Sequence, residues 1–355
     1  TTEYNTGLDA TFLKGKLRFT VDVYQKYVKD LLQPKVKMPT TIGYGNGYQI
    51  SYMNSGKMTN KGWEFRVDAV PFQNKDWRVG VYFNIAHNEN KITEMPDNYI
   101  EENYTFGNGN YAYRREEGRP MGSFYGYRYK GVYQNKDATY ARDIEGNGMK
   151  DISGNSYVMT NGSSSVSPGD SIYEDVNHDG VINQYDIVYL GNSNPRLTGG
   201  AGLNVSYKQF KLSAIFYGRY GQDVVNATRL NNESMRGIDN QSTAVLRRWR
   251  NEGDQTDIPR AHYGEGYNTL GSDRFVEDAS YLRLKSLSFT YRLPKKAIQR
   301  WGFNNIDVYV TGYNLFTWTK YTGQDPEVKS ENTYARDTAT TPASIQLVAG
   351  FNLSF

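Results

Sequence analysis

The chain has 355 residues and nearly balanced charge, with 41 Lys and Arg against 38 Asp and Glu. This balance argues against a nucleic-acid-binding protein, in which basic residues dominate and cluster. The sequence has no cysteine and only three histidines. Disulfides and thiolate metal sites are therefore excluded, and a histidine-rich metal centre is not expected.

Aromatic residues make up 14% of the chain, including 31 Tyr, although the mean hydropathy is low. Two classes combine these properties: secreted carbohydrate-binding β proteins and outer-membrane β-barrels. In a barrel, alternate residues face lipid and a water-filled lumen, and aromatic residues form bands at both interfaces. The sequence has no apolar run of the ~20 residues that a membrane helix needs, whereas barrel strands require none.

In chain order, a period-two alternation of apolar and polar residues predicts about ten strands. In segment 17–24, Phe19 and Val21 lie on one face, with Thr20 and Asp22 on the other. The regular segments are 17–24, 62–69, 77–85, 201–207 and 345–355, and the less regular ones are 4–13, 121–134, 210–226, 279–293 and 306–321.

The predicted connections alternate in length. Short turns are expected at 13–16, 71–76 and 208–210, and long polar loops at 33–55, 93–118, 135–197, 222–275 and 322–343. Short turns at one end and long loops at the other are typical of an outer-membrane barrel, with the turns in the periplasm. Soluble sandwiches rarely contain so many loops longer than about 15 residues. We therefore predict an all-β fold, an antiparallel transmembrane β-barrel with long extracellular loops.

Both ends of the sequence resemble strand segments. Residues 1–7 lack the basic and apolar regions of a signal peptide, which indicates a fragment or a processed chain. Residues 351–355 form an amphipathic strand that ends in Phe355. Such an ending resembles the signal that outer-membrane assembly machinery reads, and it predicts that this is the last strand of the barrel.

Several sequence blocks resemble, in the same order, those of the SusC/RagA-type TonB-dependent transporters of the outer membrane. Together they extend over nearly the whole chain. The blocks are Tyr24–Leu32 with its Lys-Asp-Leu-Leu ending, Met58–Glu64 with Asn-Lys-Gly-Trp-Glu, the acidic loop from Gly169 to Asp186, Leu190–Pro195, Tyr281–Leu287, Gly312–Tyr321, and Asp325-Pro326-Glu327.

This resemblance implies that residues 1–355 are the C-terminal part of a plugged barrel of about 22 strands. A half barrel would leave backbone groups unpaired in hydrocarbon, so the remaining N-terminal half and plug are expected partners. The resemblance also implies a SusD-like surface lipoprotein as lid, energy from the TonB complex, and nutrient oligomers, glycans or peptides, as cargo. It implies a location in the outer membrane of a Gram-negative bacterium and no enzymatic activity.

The predicted loop 135–197 contains a calcium-like segment at 175–186. Oxygen ligands at positions 1, 3 and 5, glycine at 6 and a carboxylate at 12 are typical of a calcium loop. The candidate Ca²⁺ ligands are Asp175, Asn177, Asp179, the Val181 carbonyl, Asn183 and Asp186. Position 12 is Asp rather than Glu and no flanking helices are predicted, so an Asx-rich turn without a metal is the alternative.

Other interpretations remain open at this point. Tyr125, Tyr127 and Tyr129 are expected either to stack on sugar rings or to pack within the wall. Adjacent acids such as Glu116 and Glu117 do not define the separation that glycoside hydrolysis needs. The main alternative function is a secreted calcium-binding β protein that recognises or cleaves carbohydrate. A structural or secretion barrel without transport is a further alternative.

Overall fold

The computed structural model describes residues 1–37, 49–95, 109–113, 115–162, 164–264, 266–328 and 334–355. Within this part of the chain, nine long strands form one antiparallel sheet in which each strand pairs with its neighbours along the sequence. The strands are β1 (Thr2–Phe12), β2 (Leu17–Lys29), β3 (Lys57–Gln73), β4 (Trp77–Glu94), β5 (Leu197–Tyr207), β6 (Phe210–Tyr220), β7 (Tyr281–Arg292), β8 (Asn305–Thr319) and β9 (Gln346–Ser354).

The sheet has nine strands rather than about ten because segment 121–134 does not join it. This segment forms two short strands, Ser123–Gly126 and Tyr129–Val132, that pair elsewhere. All four residues of Ser123–Gly126 are buried, so this strand does not alternate between two different surroundings. The predicted strand 210–226 is also divided: β6 ends before Gly221, whose φ of 73° interrupts the extended backbone.

The connections of the sheet differ strongly between its two ends. At the turn end, strands are joined by residues 13–16, 74–76, 208–209 and 293–304. At the loop end, the connections are 30–56, 95–196, 221–280 and 320–345. This is the alternation of short turns and long loops that the sequence predicts.

The two faces of the sheet differ in polarity. On the apolar face Val21 pairs with Phe65, whereas one residue earlier on β2, on the polar face, Thr20 pairs with Arg66. Large side chains on the apolar face are exposed, including Phe83 at 45%. A broad exposed apolar surface marks an interaction or membrane surface.

Aromatic pairs lie near both ends of the apolar face. At the turn end the ring centroids of Trp77 and Tyr207 are 4.2 Å apart. At the loop end those of Phe316 and Trp318 are 6.1 Å apart. Two aromatic bands that border an apolar zone are the pattern of a sheet that crosses a bilayer.

The connections at the loop end build a second, smaller folded region, here called the loop cap. It is held by short sheets and by buried clusters, one of them around Tyr127, Tyr173 and Tyr267. The short strands are Leu32–Lys37, Gln49–Asn54, Ser123–Gly126, Tyr129–Val132, Thr160–Asn161, Ser164–Ser165, Ser171–Tyr173, Val181–Ile182, Val188–Asn192, Asp223–Asn226, Val276–Asp278 and Arg336–Asp337.

Helical structure is sparse and short. The α-helices are Ala227–Asn232 and Lys295–Ile298, and the 3₁₀ turns are Leu13–Gly15, Asp137–Thr139, Gln184–Asp186, Thr243–Arg247, Tyr267–Thr269, Asp273–Phe275 and Gln299–Trp301. Among the described residues, no helix has the length and apolar composition needed to cross a membrane.

Three tyrosines on the polar face lie against a glycine directly opposite on the neighbouring strand. The pairs are Tyr24 with Gly62, Tyr82 with Gly202, and Tyr309 with Gly350. A Cβ atom added at any of these glycines would overlap the tyrosine ring or its hydroxyl. The missing side chain therefore allows each tyrosine to reach across the adjacent strand, where it covers backbone that glycine leaves bare.

We expect Gly202→Ala to destabilise the sheet by about 1–3 kcal/mol, because the new methyl group must displace the Tyr82 ring from its packed position. The measurement is the temperature at which the folded, fast-migrating band of the full-length protein is lost on a gel. Gly80→Ala is the matched control, since its Cβ would meet nothing closer than 3.9 Å on the same face. Equal thermal shifts for the two variants would contradict the proposed role of the glycine.

Candidate functional site

The polar face of β2–β5 carries a continuous depression, here called the polar groove. It consists of three recesses with volumes of about 520, 220 and 610 Å³. Glu64 and Ala86 line both of the first two, and Thr20 and Arg66 line both of the last two. The groove therefore extends from the loop end of the sheet towards the turn end.

The loop end of the polar groove is lined by amide side chains whose orientation is fixed. The Tyr24 hydroxyl donates to Asn88 Oδ1 at 3.0 Å, and Asn90 Nδ2 donates to Asn60 Oδ1 at 2.7 Å. The backbone amide of Met121 donates to Asn90 Oδ1 at 2.8 Å. These bonds join the strands to the loop cap and set the direction of each amide group.

At the other end of the polar groove, Tyr82 lies among paired charges. Arg66 forms a bidentate ion pair with Asp68, with N–O distances of 2.7 and 2.8 Å. The Arg66 guanidinium also lies 5.7 Å from the centroid of the Tyr82 ring. Between the two ends, Asp22 and Glu64 are direct cross-strand partners, which concentrates negative charge in the middle of the groove.

A second polar cluster, here called the mouth ion cluster, consists of Arg283, Lys285, Asp325 and Glu327. Arg283 is buried, and it donates to both Asp325 and Glu327. Lys285 Nζ donates to Glu327 Oε2 at 3.0 Å. Two basic side chains of β7 therefore hold the Asp-Pro-Glu segment against the loop end of the sheet.

Asp325 connects the two ends of the 320–345 connection. Its Oδ1 accepts from the Glu327 amide and its Oδ2 from the Ala343 amide, each at 2.9 Å. Burial raises the pKa of the Asp325 carboxyl, whereas these amides and the Arg283 guanidinium lower it, and the net shift is downward. Asp325 is therefore held as a carboxylate that fixes the loop at the mouth.

The tyrosines of the loop cap are core residues. Tyr125 and Tyr127 are 0% and 3% exposed, so they cannot stack on a ligand. Tyr129 donates to the Asp257 carbonyl at 2.6 Å, and burial raises its pKa to about 12. Of the two roles expected for these residues, packing is the one that the structure supports.

The segment 175–186 is closed by its own hydrogen bonds. Asp175 Oδ2 accepts from the Gly180 amide, and Asp179 Oδ1 from the Val181 amide, both at 2.8 Å. Asp186 is fully buried, and its two oxygens accept from the amides of Val176 and Asn183. Asn183 also caps the 3₁₀ turn that contains Asp186.

Burial raises the pKa of Asp186, and the Asp175 and Asp179 carboxylates add to that rise against the two amide hydrogen bonds. A cation among these three acids would relieve their repulsion. Within the described ranges, however, no group of three or more His, Cys, Asp or Glu side chains is close enough to hold a metal ion. The calcium site therefore stays a prediction.

Sequence reasoning did not identify the residues of the polar groove. Tyr24 and Gly62 both lie in blocks that carry the family resemblance, but their contact depends on the register between β2 and β3. The signal that would have suggested this contact is a Tyr and a Gly at polar-face positions of two adjacent predicted strands. The partners of Arg283, Asp325 and Glu327, also lie in a block that carries the family resemblance, but the sequence alone assigns them no role.

The chain is similar to known outer-membrane receptors. TonB-dependent receptor P3 of Formosa agariphila is 32% identical over 337 residues, which are 93% of this chain and 31% of the relative. TonB-dependent receptor SusC of Bacteroides thetaiotaomicron is 28% identical over 365 residues, which are 100% of this chain and 32% of the relative. No protein-family model matches the chain.

The chain is also similar to solved structures of transporters. The RagAB peptide transporter matches with a TM-score of 0.74 and 28% identity, over 99% of this chain and 35% of that one. The RagAB peptide importer in its open-open state matches with a TM-score of 0.73 and 26% identity, over 99% and 34%. These matches confirm the predicted antiparallel barrel class. The chain spans about a third of the length of these relatives.

We expect Arg283→Met to release the 320–345 connection, because Asp325 and Glu327 lose their common partner. The cost is about 2 kcal/mol, less than the ~3–5 kcal/mol of fully buried pairs, since Glu327 is partly exposed. Protease added to intact cells should then cleave this connection roughly 30-fold faster. Arg292→Met, which removes an exposed pair with Asp307, is the control and should have almost no effect. Equal cleavage rates in the two variants would argue against a latch.

For the calcium prediction, we expect Ca²⁺ to bind with a Kd of roughly 10⁻⁴–10⁻³ M, the range of extracellular calcium modules. At 10 mM, Ca²⁺ should stabilise the purified protein by about 1–3 kcal/mol. Asp175→Asn should abolish this gain and the tyrosine-sensitised luminescence of Tb³⁺. Asp143→Asn is the control, because Asp143 closes a similar turn outside the segment. A gain that persists in Asp175→Asn would place the ion elsewhere.

Proposed function

Because the chain belongs to the SusC/RagA-type TonB-dependent receptors, which are outer-membrane proteins of Gram-negative bacteria, we propose that it is part of an importer of nutrient oligomers. In this proposal the apolar face of the sheet contacts lipid and the polar face lines the lumen. The loop cap stands at the extracellular mouth, and the short turns lie in the periplasm.

The observation that carries this proposal is the contrast between the two faces of one sheet. The apolar face is exposed along β4, β7 and β8, where Phe83, Phe289 and Val310 are 45%, 47% and 51% exposed. The opposite face holds a polar groove with amide, hydroxyl and charged side chains. A sheet in a soluble sandwich would cover its apolar face with a second sheet, so this contrast favours transport over the secreted alternative.

We further propose that the remaining barrel strands and a plug complete the importer. In the described part of the chain, β1 and β9 are the edges of the nine-stranded sheet. Backbone groups at an open edge cost several kcal/mol each in hydrocarbon, so these edges require partner strands. A closed barrel with a plug also gives the TonB complex an element on which to act.

The proposed extracellular partner is a SusD-like lipoprotein that covers the mouth. The loop cap supports this proposal, because it is a folded region with its own buried clusters at the loop end. The mouth ion cluster fixes one of its connections to the sheet and would keep the surface under the lid in place. The proposed cargo is an oligomer, either a glycan or a peptide, that crosses the outer membrane without chemical change.

A gene deletion tests the proposed function. Cells that lack the full-length protein should lose energy-dependent uptake of one class of labelled oligomer, and the intact gene should restore it. A protonophore should abolish uptake by wild-type cells, because TonB-linked transport draws on the inner-membrane proton gradient. The test offers mixed labelled glycans and mixed labelled peptides in parallel. Unchanged uptake of both mixtures after deletion would contradict the proposal.

A further inference from the structure

We propose that the turn end of the sheet binds anionic phospholipids of the periplasmic leaflet through a row of basic side chains, here called the basic rim. The inference rests on the proposed orientation of the sheet, with the short turns towards the periplasm, and not on the cargo. The basic rim consists of Lys14, Lys16, Lys75, Lys208, Lys295, Lys296 and Arg300.

The first argument is the charge difference between the two ends of the sheet. The four short connections, 13–16, 74–76, 208–209 and 293–304, contain seven basic residues and one acid, Asp76. The four long connections at the loop end contain 21 basic residues and 29 acids. The net charge is therefore +6 at the turn end and −8 at the loop end, although that of the whole chain is only +3. A concentrated row of cations at a membrane border attracts the phosphate groups of anionic lipids.

The second argument is that the basic rim has no counter-charge within the described part of the protein. All seven side chains are exposed, and in these ranges none of them forms an ion pair. Two other basic residues near the turn end are paired: Arg18 with Asp9, and Arg292 with Asp307. The cations of the basic rim therefore remain available to an anion outside the protein.

The third argument is the level of the basic rim relative to the aromatic band at the turn end. Lys208 directly follows Tyr207, and its Nζ lies 5.3 Å from the centroid of the Tyr207 ring. That ring packs against Trp77, and Lys75 lies two residues before Trp77. At about 3.3 Å per residue, both lysines start within roughly 7 Å of the band. The headgroup layer on each side of the hydrocarbon is about 5–8 Å thick, so these cations lie at the level of lipid phosphates.

The fourth argument is the amphipathic character of the connection 293–304. Three residues of the basic rim lie on it, and Trp301, which follows Arg300, is 61% exposed. Phe303 packs against Phe355 at the end of the last strand, with ring centroids 5.2 Å apart. Exposed aromatic side chains next to exposed cations are typical of a segment that lies in the membrane interface.

The fifth argument separates a lipid surface from a small soluble anion. The basic rim extends from the turn between β1 and β2 to the connection between β7 and β8, which are six strand spacings apart. At about 4.8 Å per spacing, this row is roughly 30 Å long. A small anion needs several donors around one point, whereas lipid headgroups form an array along the line where the sheet leaves the hydrocarbon. The shape of the basic rim therefore favours lipid.

The test measures which lipid lies next to the connection 293–304. The purified full-length protein, with its co-purifying partners, is placed in nanodiscs of phosphatidylglycerol and phosphatidylcholine with identical acyl chains. Bimane on Gln299→Cys is the probe, after any other cysteine is replaced, and bromine on the acyl chains of one lipid or the other is the quencher. We expect brominated phosphatidylglycerol to quench roughly tenfold more per lipid than brominated phosphatidylcholine. This preference should fall towards one in about 1 M NaCl, which screens exposed charges.

Charge variants assign the preference to the basic rim. Combining Lys295→Gln, Lys296→Gln and Arg300→Gln should bring the quenching ratio close to one. The matched control combines Lys136→Gln, Arg142→Gln and Lys150→Gln, which removes three exposed cations from the loop cap and should leave the ratio unchanged. Heat-modifiable migration is checked for every variant, so that only folded protein is compared.

The inference is overturned if both lipids quench equally in the wild type, or if the triple variant at the turn end keeps the preference. Displacement of phosphatidylglycerol by millimolar glycerol phosphate would also overturn it, because it would reveal a site for free phosphate rather than a lipid surface. A wild type without lipid preference that binds acidic peptidoglycan fragments would replace lipid with an acidic polymer. Uptake of labelled oligomers is measured separately, so failure of this inference is distinguishable from failure of the proposed transport function.

Discussion

The structure depends on one constraint: a strand in hydrocarbon must pair its backbone with neighbouring strands, because lipid offers no hydrogen-bond partner. Nine strands satisfy this constraint between neighbours in one antiparallel sheet, which has local register shifts and leaves only the outer edges of β1 and β9 to be paired. Once the backbone is paired, the side chains are free to alternate, and successive residues face lipid and water. The apolar face, the aromatic bands and the polar groove all follow from this alternation.

The same alternation places polar side chains on a sheet face that must also be stable. Glycine opposite Tyr24 and Tyr82 weakens strand packing, and the tyrosine side chains restore the cover that glycine lacks. The rings therefore support the sheet where glycine leaves the backbone bare. At the loop end, Arg283 and Asp325 give the mouth a fixed border, where the sheet passes into the loop cap.

The sequence predicts the parts of the fold that depend on local periodicity. The strands around Phe19, Phe83 and Leu203 have a regular period of two, and the short turns contain Gly15 or a polar pair, so both are recognised without tertiary information. Segment 121–134 forms strand structure as predicted, but as two short strands that pair outside the main sheet, and local periodicity does not specify pairing partners. The partners of Tyr24 and Arg283 depend on cross-strand register and on a distant loop, which composition and periodicity do not specify.

The central claim, that alternate residues of each strand face lipid and lumen, is tested most directly by single-cysteine labelling. The chain has no cysteine of its own, so Tyr82→Cys, Phe83→Cys, Asn84→Cys and Ile85→Cys can be compared in the full-length protein after any other cysteine is replaced. The account predicts that a water-soluble maleimide labels positions 82 and 84 and that only a membrane-permeant reagent labels 83 and 85. Equal labelling of all four positions by the water-soluble reagent would contradict it.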